Sequence, residues 1–111
     1  MAVYLISDVT AQDADAFQIY RSRAAASIEK YGGRYLVRGG GIERLEGDWS
    51  PSAIVIVEFP DAEQARLWYA SPEYAEALRI RGSALHRNMI VVEGTRGDDA
   101  GGLLGADVVQ R

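Results

Sequence analysis

The stretch AIVIVEFPDAEQARLWYASPEY, residues 53–74, sets one strand directly against two pieces of helix. Residues 53–59 are β-branched and nearly all apolar, the composition of a central strand. Pro60 ends the strand, and Asp61 is placed to cap a helix with Gln64 reaching back to it. Ala65, Trp68 and Tyr69 then fall on an inner stripe. Ser71-Pro72 restarts the helix rather than continuing it. Ser serves as N-cap, and Pro fits the first helical position, where its missing N–H costs nothing. Tyr74 and Leu78 are four apart and share a face. Trp68 and Tyr69 therefore belong to one helical piece and Tyr74 to the next. Trp68 is expected to pack inward, with Tyr69 and Tyr74 along the bend and their hydroxyls toward a pocket mouth or a partner chain.

Working outward, residues 2–9 (AVYLISDV) carry apolar side chains at both parities, which suits a strand covered on both faces. Thr10 with Asp13 resembles a capping box. Phe17, Tyr20, Ala24, Ile28 and Tyr31 follow as the stripe of a helix that Gly32-Gly33 ends. Residues 34–39 (RYLVRG) read as a second strand, stopped by Gly39-Gly40-Gly41. The turn-rich residues 42–52 leave room for a hairpin arm over Ile42 to Leu45. After the broken helix, closed at Gly82, residues 89–94 (MIVVEG) form a last strand, starting near Leu85.

The order β-α-β-β-α-β is α+β, and right-handed crossovers turn it into a ferredoxin-like, four-stranded antiparallel sheet with the helices on one face. The other face carries Ile54, Ile56 and Leu36 or Val37, with no element left to cover it. A patch of that kind calls for a cover, and a second copy placed face to face supplies one, making a homodimer that is a dimeric α+β barrel. The domain spans 1–94. Residues 95–111 form a tail, with Leu103, Leu104, Val108 and Val109 available to pack on the domain or on a partner subunit.

Composition excludes several classes of function. The 111 residues contain no Cys and a single His, so a thiolate metal site, a disulfide and a two-His site within one chain are all ruled out. A net charge of −4 argues against a nucleic-acid partner. The N-terminus lacks a basic n-region and no stretch is long and apolar enough to span a membrane, so a cytoplasmic location is expected.

The candidate site residues follow from parity. Ile54, Ile56 and Glu58 share one strand face, and Phe59 belongs to the face under the helices. Glu58 then points to the uncovered face, with Arg34 and Arg38 on the neighbouring strand as partners of the same parity. A carboxylate removed from water must be paired, hydrogen-bonded or protonated. Glu58 and Arg38 read either as a structural ion pair or as an acid/base or anion-binding pair. His86 reads either as a surface or satisfied core histidine or, if it lies in the pocket, as the best available general base, and Asn88 shares its strand face. Tyr20, Arg34, Trp49, Trp68, Tyr69, Tyr74 and Asn88 are the candidate substrate-binding residues, Trp49 because an aromatic in a polar loop suggests a lid or an interface. Gly39–Gly41 follow a strand but do not open a helix, which is no nucleotide fingerprint. Glu46 and Asp48 read as a solvated turn, and no metal site is expected.

The segments GGRYLVRGG (32–40), LEGDW (45–49), VIVEFPDAEQARLWYASPEY (55–74) and IVVEG (90–94) resemble the bacterial family called domain of unknown function 1330, from about Tyr4 to Gly94. The resemblance implies a ferredoxin-like dimeric α+β barrel. The wider superfamily holds cofactor-free monooxygenases, muconolactone isomerase-like enzymes, haem-dependent enzymes and ligand sensors. It therefore implies a pocket between helices and sheet for a small organic molecule, in a cofactor-independent monooxygenase- or isomerase-like enzyme or in a non-catalytic sensing or dimerisation module. No cofactor is expected; the third alternative, haem binding as in some superfamily members, would rest on His86 as the one strong candidate axial ligand.

Overall fold

Period-two burial along the first strand fixes the layers. In β1 (Val3–Ala11), Val3, Leu5, Ser7 and Val9 are buried while Tyr4, Ile6 and Asp8 are only half-buried. The computed structural model describes residues 1–95, with the side chains of 81–84 excepted. The other elements are α1 (Ala14–Lys30), β2 (Arg34–Arg38), β3 (Ala53–Phe59), α2 (Ala62–Tyr69), α3 (Pro72–Ala84) and β4 (Leu85–Glu93). The strands form one antiparallel sheet in the order β2-β3-β1-β4. This is the expected ferredoxin-like α+β arrangement.

All three helices lie on one face. Val57 and Phe59 of β3, both fully buried, pack with Val3 and Leu5 against Tyr20, Ala24 and Ile28 of α1 and Trp68 of α2. Glu58 faces the other way, as the alternation requires. Ser27, a buried polar group in this layer, is satisfied: its hydroxyl donates to the Ala24 carbonyl at 2.7 Å and accepts from Trp68 Nε1 at 2.9 Å. The helical break forms as expected. The Ser71 hydroxyl accepts the Tyr74 backbone N–H at 3.0 Å and donates to the Trp68 carbonyl at 2.7 Å. Asp61 caps α2 by accepting the Gln64 N–H at 2.8 Å.

Several boundaries differ from the sequence expectation. Thr10 continues β1, paired with His86, and Asp13 is the N-cap of α1, accepting the Ala16 N–H at 3.0 Å. The short Asp13 side chain bonds the next turn's donor by itself, so no capping-box partner is needed. Residues 40–52 contain no strand; Ile42 and Leu45 are exposed, and the arm expected there does not form. Gly82 does not close α3, which runs to Ala84 and passes directly into β4. The tail, with Leu103, Leu104, Val108 and Val109, lies outside the described residues.

The second sheet face has no cover within the described chain. Tyr4, Ile6 and Asp8 stand between Glu58, Ile56 and Ile54 on one side and Val92, Ile90 and Asn88 on the other. Ile90 is 60% exposed and Val92 45%, a degree of apolar exposure in a pleated surface that marks an interaction face.

Candidate functional site

One extra residue in β2 decides which side chains meet. Arg34 pairs with Glu58 and Tyr35 with Val57, but Val37 then pairs with Ile56 and Arg38 with Val55. Leu36 is the inserted residue of a β-bulge, which reverses the facing of everything after it. Arg34 stays on the uncovered face beside Glu58. Arg38 turns to the helix-covered face, where its guanidinium lies 4.4 Å from the centroid of the Tyr35 ring. The expectation that Arg34 and Arg38 both partner Glu58 therefore holds for Arg34 alone.

On the helix-covered face, α1 and the sheet flank a half-open cavity of about 70 Å³. Leu5, Val9, Val55, Val57 and Met89 supply apolar wall, and Tyr20, Tyr35, Trp68, Arg21, Arg38 and Arg87 supply its functional groups. Tyr20 and Tyr74 bring their hydroxyls to 3.0 Å from each other, and Arg87 donates to the Tyr20 hydroxyl. The Arg87 guanidinium also lies 5.5 Å from the Tyr20 ring and 5.4 Å from the Tyr74 ring, within cation–π range. Burial, the largest influence, pushes the Tyr20 hydroxyl far above its ordinary value, and burial likewise raises Tyr35. Both stay protonated near neutrality and act as neutral phenols. Arg38 is exposed and Phe17, Arg21 and Tyr35 are half-buried, which puts the mouth between α1 and β2.

The uncovered face carries a different set. Glu58 accepts from Arg34 Nε at 2.6 Å and from the Tyr4 hydroxyl at 3.1 Å. The Arg34 hydrogen bond, and after it the Tyr4 one, hold the carboxyl below its ordinary value, so Glu58 is a paired carboxylate. His86 sits opposite Thr10, whereas Glu58 sits opposite Tyr4. Six residues of β1 separate these positions, roughly 20 Å at the rise of an extended strand. Glu58, Arg38 and His86 therefore do not converge on one point. Trp49 reaches this face from the 40–52 loop, its Nε1 donating to Asp8 Oδ2 at 3.1 Å while the ring stays exposed. Asn88 lies beside Asp8.

Around the helical break, Trp68 packs inward against Tyr74 with ring centroids 4.2 Å apart, and Tyr69 is exposed. Tyr74 is fully buried, so its hydroxyl meets Tyr20 rather than a pocket mouth or a partner. Tyr69 and Trp68 border a wider, open groove of about 740 Å³ between α2 and β4. Among the described residues no cluster of His, Asp and Glu could hold a metal ion, and no helix is long and apolar enough to cross a membrane.

Of the expected site residues, Tyr20, Trp68 and Arg38 line the half-open cavity, and Tyr74 touches it only through the Tyr20 hydroxyl. Glu58, Arg34, Trp49, His86 and Asn88 belong to the uncovered face. The sequence reading missed Arg87, Arg21, Tyr35 and Tyr4. Arg87 alternates with Leu85 and Met89, and that parity marks it as facing the helices. Arg21 follows Phe17 by four residues on α1 and stacks on it at 5.8 Å.

Residues 2–95 match the family described as Domain of unknown function (DUF1330). No curated protein matches the chain. Among solved structures, the chain is similar to a protein of unknown function from Rhodopseudomonas palustris, with a TM-score of 0.71 and 19% identity over 86% of this chain and 83% of the other. It is also similar to SnoaB, a cofactor-independent oxygenase from Streptomyces nogalater, with a TM-score of 0.61 and 18% identity over 86% and 94% of the two chains. A dimeric protein of unknown function and ferredoxin-like fold from Bacteroides fragilis gives a TM-score of 0.51 and 12% identity over 84% and 96%. At these identities the likeness is one of fold.

Proposed function

The chain belongs to the DUF1330 family, and from that footing we propose that it is a homodimeric α+β barrel that binds a small organic molecule in the cavity between α1 and the sheet. The observation that carries this reading is the cavity itself. It combines apolar walls with a few convergent polar groups, Tyr20, Tyr35 and three guanidiniums, which is the usual make-up of a small-molecule site. The uncovered apolar face supports the homodimer: Ile6, Ile56, Ile90 and Val92 stand side by side there. The proposed dimer places Glu58, Arg34, Trp49, His86 and Asn88 at or near the contact between copies, where the Arg34–Glu58 pair serves as a buried polar tie.

No Asp, Glu or His lines the cavity among the described residues, which favours binding over general-base catalysis by protein groups. A catalytic version, of the cofactor-independent monooxygenase or isomerase type, would use Arg38 as the one member of the set Glu58, Arg38 and His86 that reaches the cavity.

The chain has two tryptophans, so Trp49→Phe leaves Trp68, in the cavity wall, as the sole indole. Titration of that variant with a panel of small phenols, quinones, lactones and organic acids is expected to give saturable changes in Trp68 emission for some members. Ala24→Val, which narrows the cavity, is expected to abolish them. A panel that gives no saturable change in emission, heat or melting temperature at millimolar concentration overturns the reading.

A further inference from the structure

We propose that this cavity selects an anion: a small organic acid, bound as its carboxylate by Arg87 and Arg38, with its apolar part against the α1 side. The inference rests on the binding reading above and adds the chemical class of the ligand. Arg21, Arg38 and Arg87 all line the cavity. Among the described residues none of them is ion-paired; the ion pairs there, Lys30–Glu73, Arg34–Glu58 and Arg79–Glu76, all lie elsewhere. Three cations thus border one small, mostly apolar space with no acidic side chain in its wall.

Taking a guanidinium partly out of water without a carboxylate is unfavourable. The ring faces of Tyr20, Tyr35 and Tyr74 compensate part of the charge. They do not use the N–H groups. A guanidinium has five N–H donors, and the described contacts of Arg87 occupy one, on the Tyr20 hydroxyl. The planar fork that remains matches a carboxylate in two-point geometry. A net charge of −4 repels anions from the protein as a whole, so any preference for an anion must arise locally, at these side chains.

Size and lining narrow the class. A volume of about 70 Å³ is roughly half that of an apolar cavity of about 150 Å³ that takes up benzene. It accepts a carboxylate and a few carbon atoms, with any ring lying toward the mouth beside Phe17 and Tyr35. Leu5, Val9, Val55 and Met89 in the wall favour an organic acid over an inorganic oxyanion.

The test uses isosteric pairs on the full chain carrying Trp49→Phe: isobutyrate against isobutyramide, and benzoate against benzamide, with inorganic phosphate as a third probe. Calorimetry and Trp68 emission are expected to show each acid binding at least tenfold more tightly than its amide. That preference should shrink as salt is raised, and phosphate should not compete. Arg87→Met and Arg38→Gln should each erase most of the preference and leave amide affinity in place. Arg87 also braces Tyr20 and Tyr74, so its replacement could impair folding; Arg38→Gln, at the exposed mouth, is the variant on which the outcome turns. Amides binding as tightly as acids would overturn the anion assignment and leave the pocket standing. A preference undiminished in Arg38→Gln overturns the assignment too, as does phosphate displacing the acids. If no organic acid binds, while phenols, quinones or lactones do, the anion assignment falls alone; if nothing binds, the pocket reading falls with it.

Discussion

Arg34 and Arg38 stand four residues apart in one strand yet on opposite faces of the sheet, because Leu36 adds an unpaired residue between them. Arg34 Nε meets Glu58 at 2.6 Å, while Arg38 stacks on Tyr35 across the sheet from that carboxylate. A double-mutant cycle separates the two relationships. Arg34→Gln with Glu58→Gln should show a favourable coupling in urea unfolding, and Arg38→Gln with Glu58→Gln should show none. Equal couplings would mean that β2 is paired without the bulge.

The uncovered face makes a prediction about mass. Ile90 is 60% exposed in the isolated chain, so Ile90→Asp costs a single subunit little. In a face-to-face dimer the same carboxylate would be buried against an apolar partner, which is strongly unfavourable. Light scattering at micromolar concentration should return the mass of two chains for the natural protein and of one chain for Ile90→Asp. A variant that keeps the doubled mass would rule this face out as the contact.

The fold was legible because each element of the chain states its own period. Residues 53–59 could be read as a central strand with Phe59 inward and Glu58 outward, and the helical break at Ser71-Pro72 followed from capping chemistry alone. The site was less legible. The face of Arg38 depends on a bulge at Leu36, and RYLVR alternates perfectly well without one; only the pairing partner reveals the extra residue. Tyr4 meets Glu58 through a register between strands 54 residues apart, which local pattern does not encode. Arg87 was readable from its parity with Leu85 and Met89, but a charged residue at an inward position conflicts with burial expectations. Such conflicts between local rule and placement are where functional sites are expected.

Two glycines near β2 should respond differently to alanine. A Cβ on Gly33 would come within 2.7 Å of Ile28 Cγ2 and 2.9 Å of Phe59 Cε1, and both neighbours are buried core residues with little room to move. Overpacking of this kind costs about 1–3 kcal/mol. A Cβ on Gly40 meets nothing within 4 Å, and its φ is not positive. Gly40→Ala should therefore be neutral or stabilising by up to about 1 kcal/mol, through the narrower unfolded ensemble. Urea midpoints measure both. A Gly33→Ala midpoint equal to that of the natural chain would contradict the close approach of α1 to β3.

The tie between the end of α1 and the start of α3 gives stability a defined acid dependence. Lys30 donates to Glu73, and the Tyr31 hydroxyl donates to the same carboxylate at 2.8 Å. The Lys30 hydrogen bond first, and the Tyr31 one after it, lower the Glu73 carboxyl from its ordinary 4.5 to about 2. A carboxyl lowered by folding contributes stability that is fully present above the unfolded value and lost as pH falls through the folded one. The contribution should be intact near neutrality, decline below about pH 4.5 and be gone near pH 2. Glu73→Gln removes the titrating group. Its melting temperature should lie below that of the natural chain at pH 7, and the gap should close as pH falls across that window. The effect is small, since both side chains are partly exposed and surface pairs are screened by salt, so the scan belongs at low ionic strength. A gap independent of pH from 7 to 2 would mean that Glu73 acts by packing and not by charge.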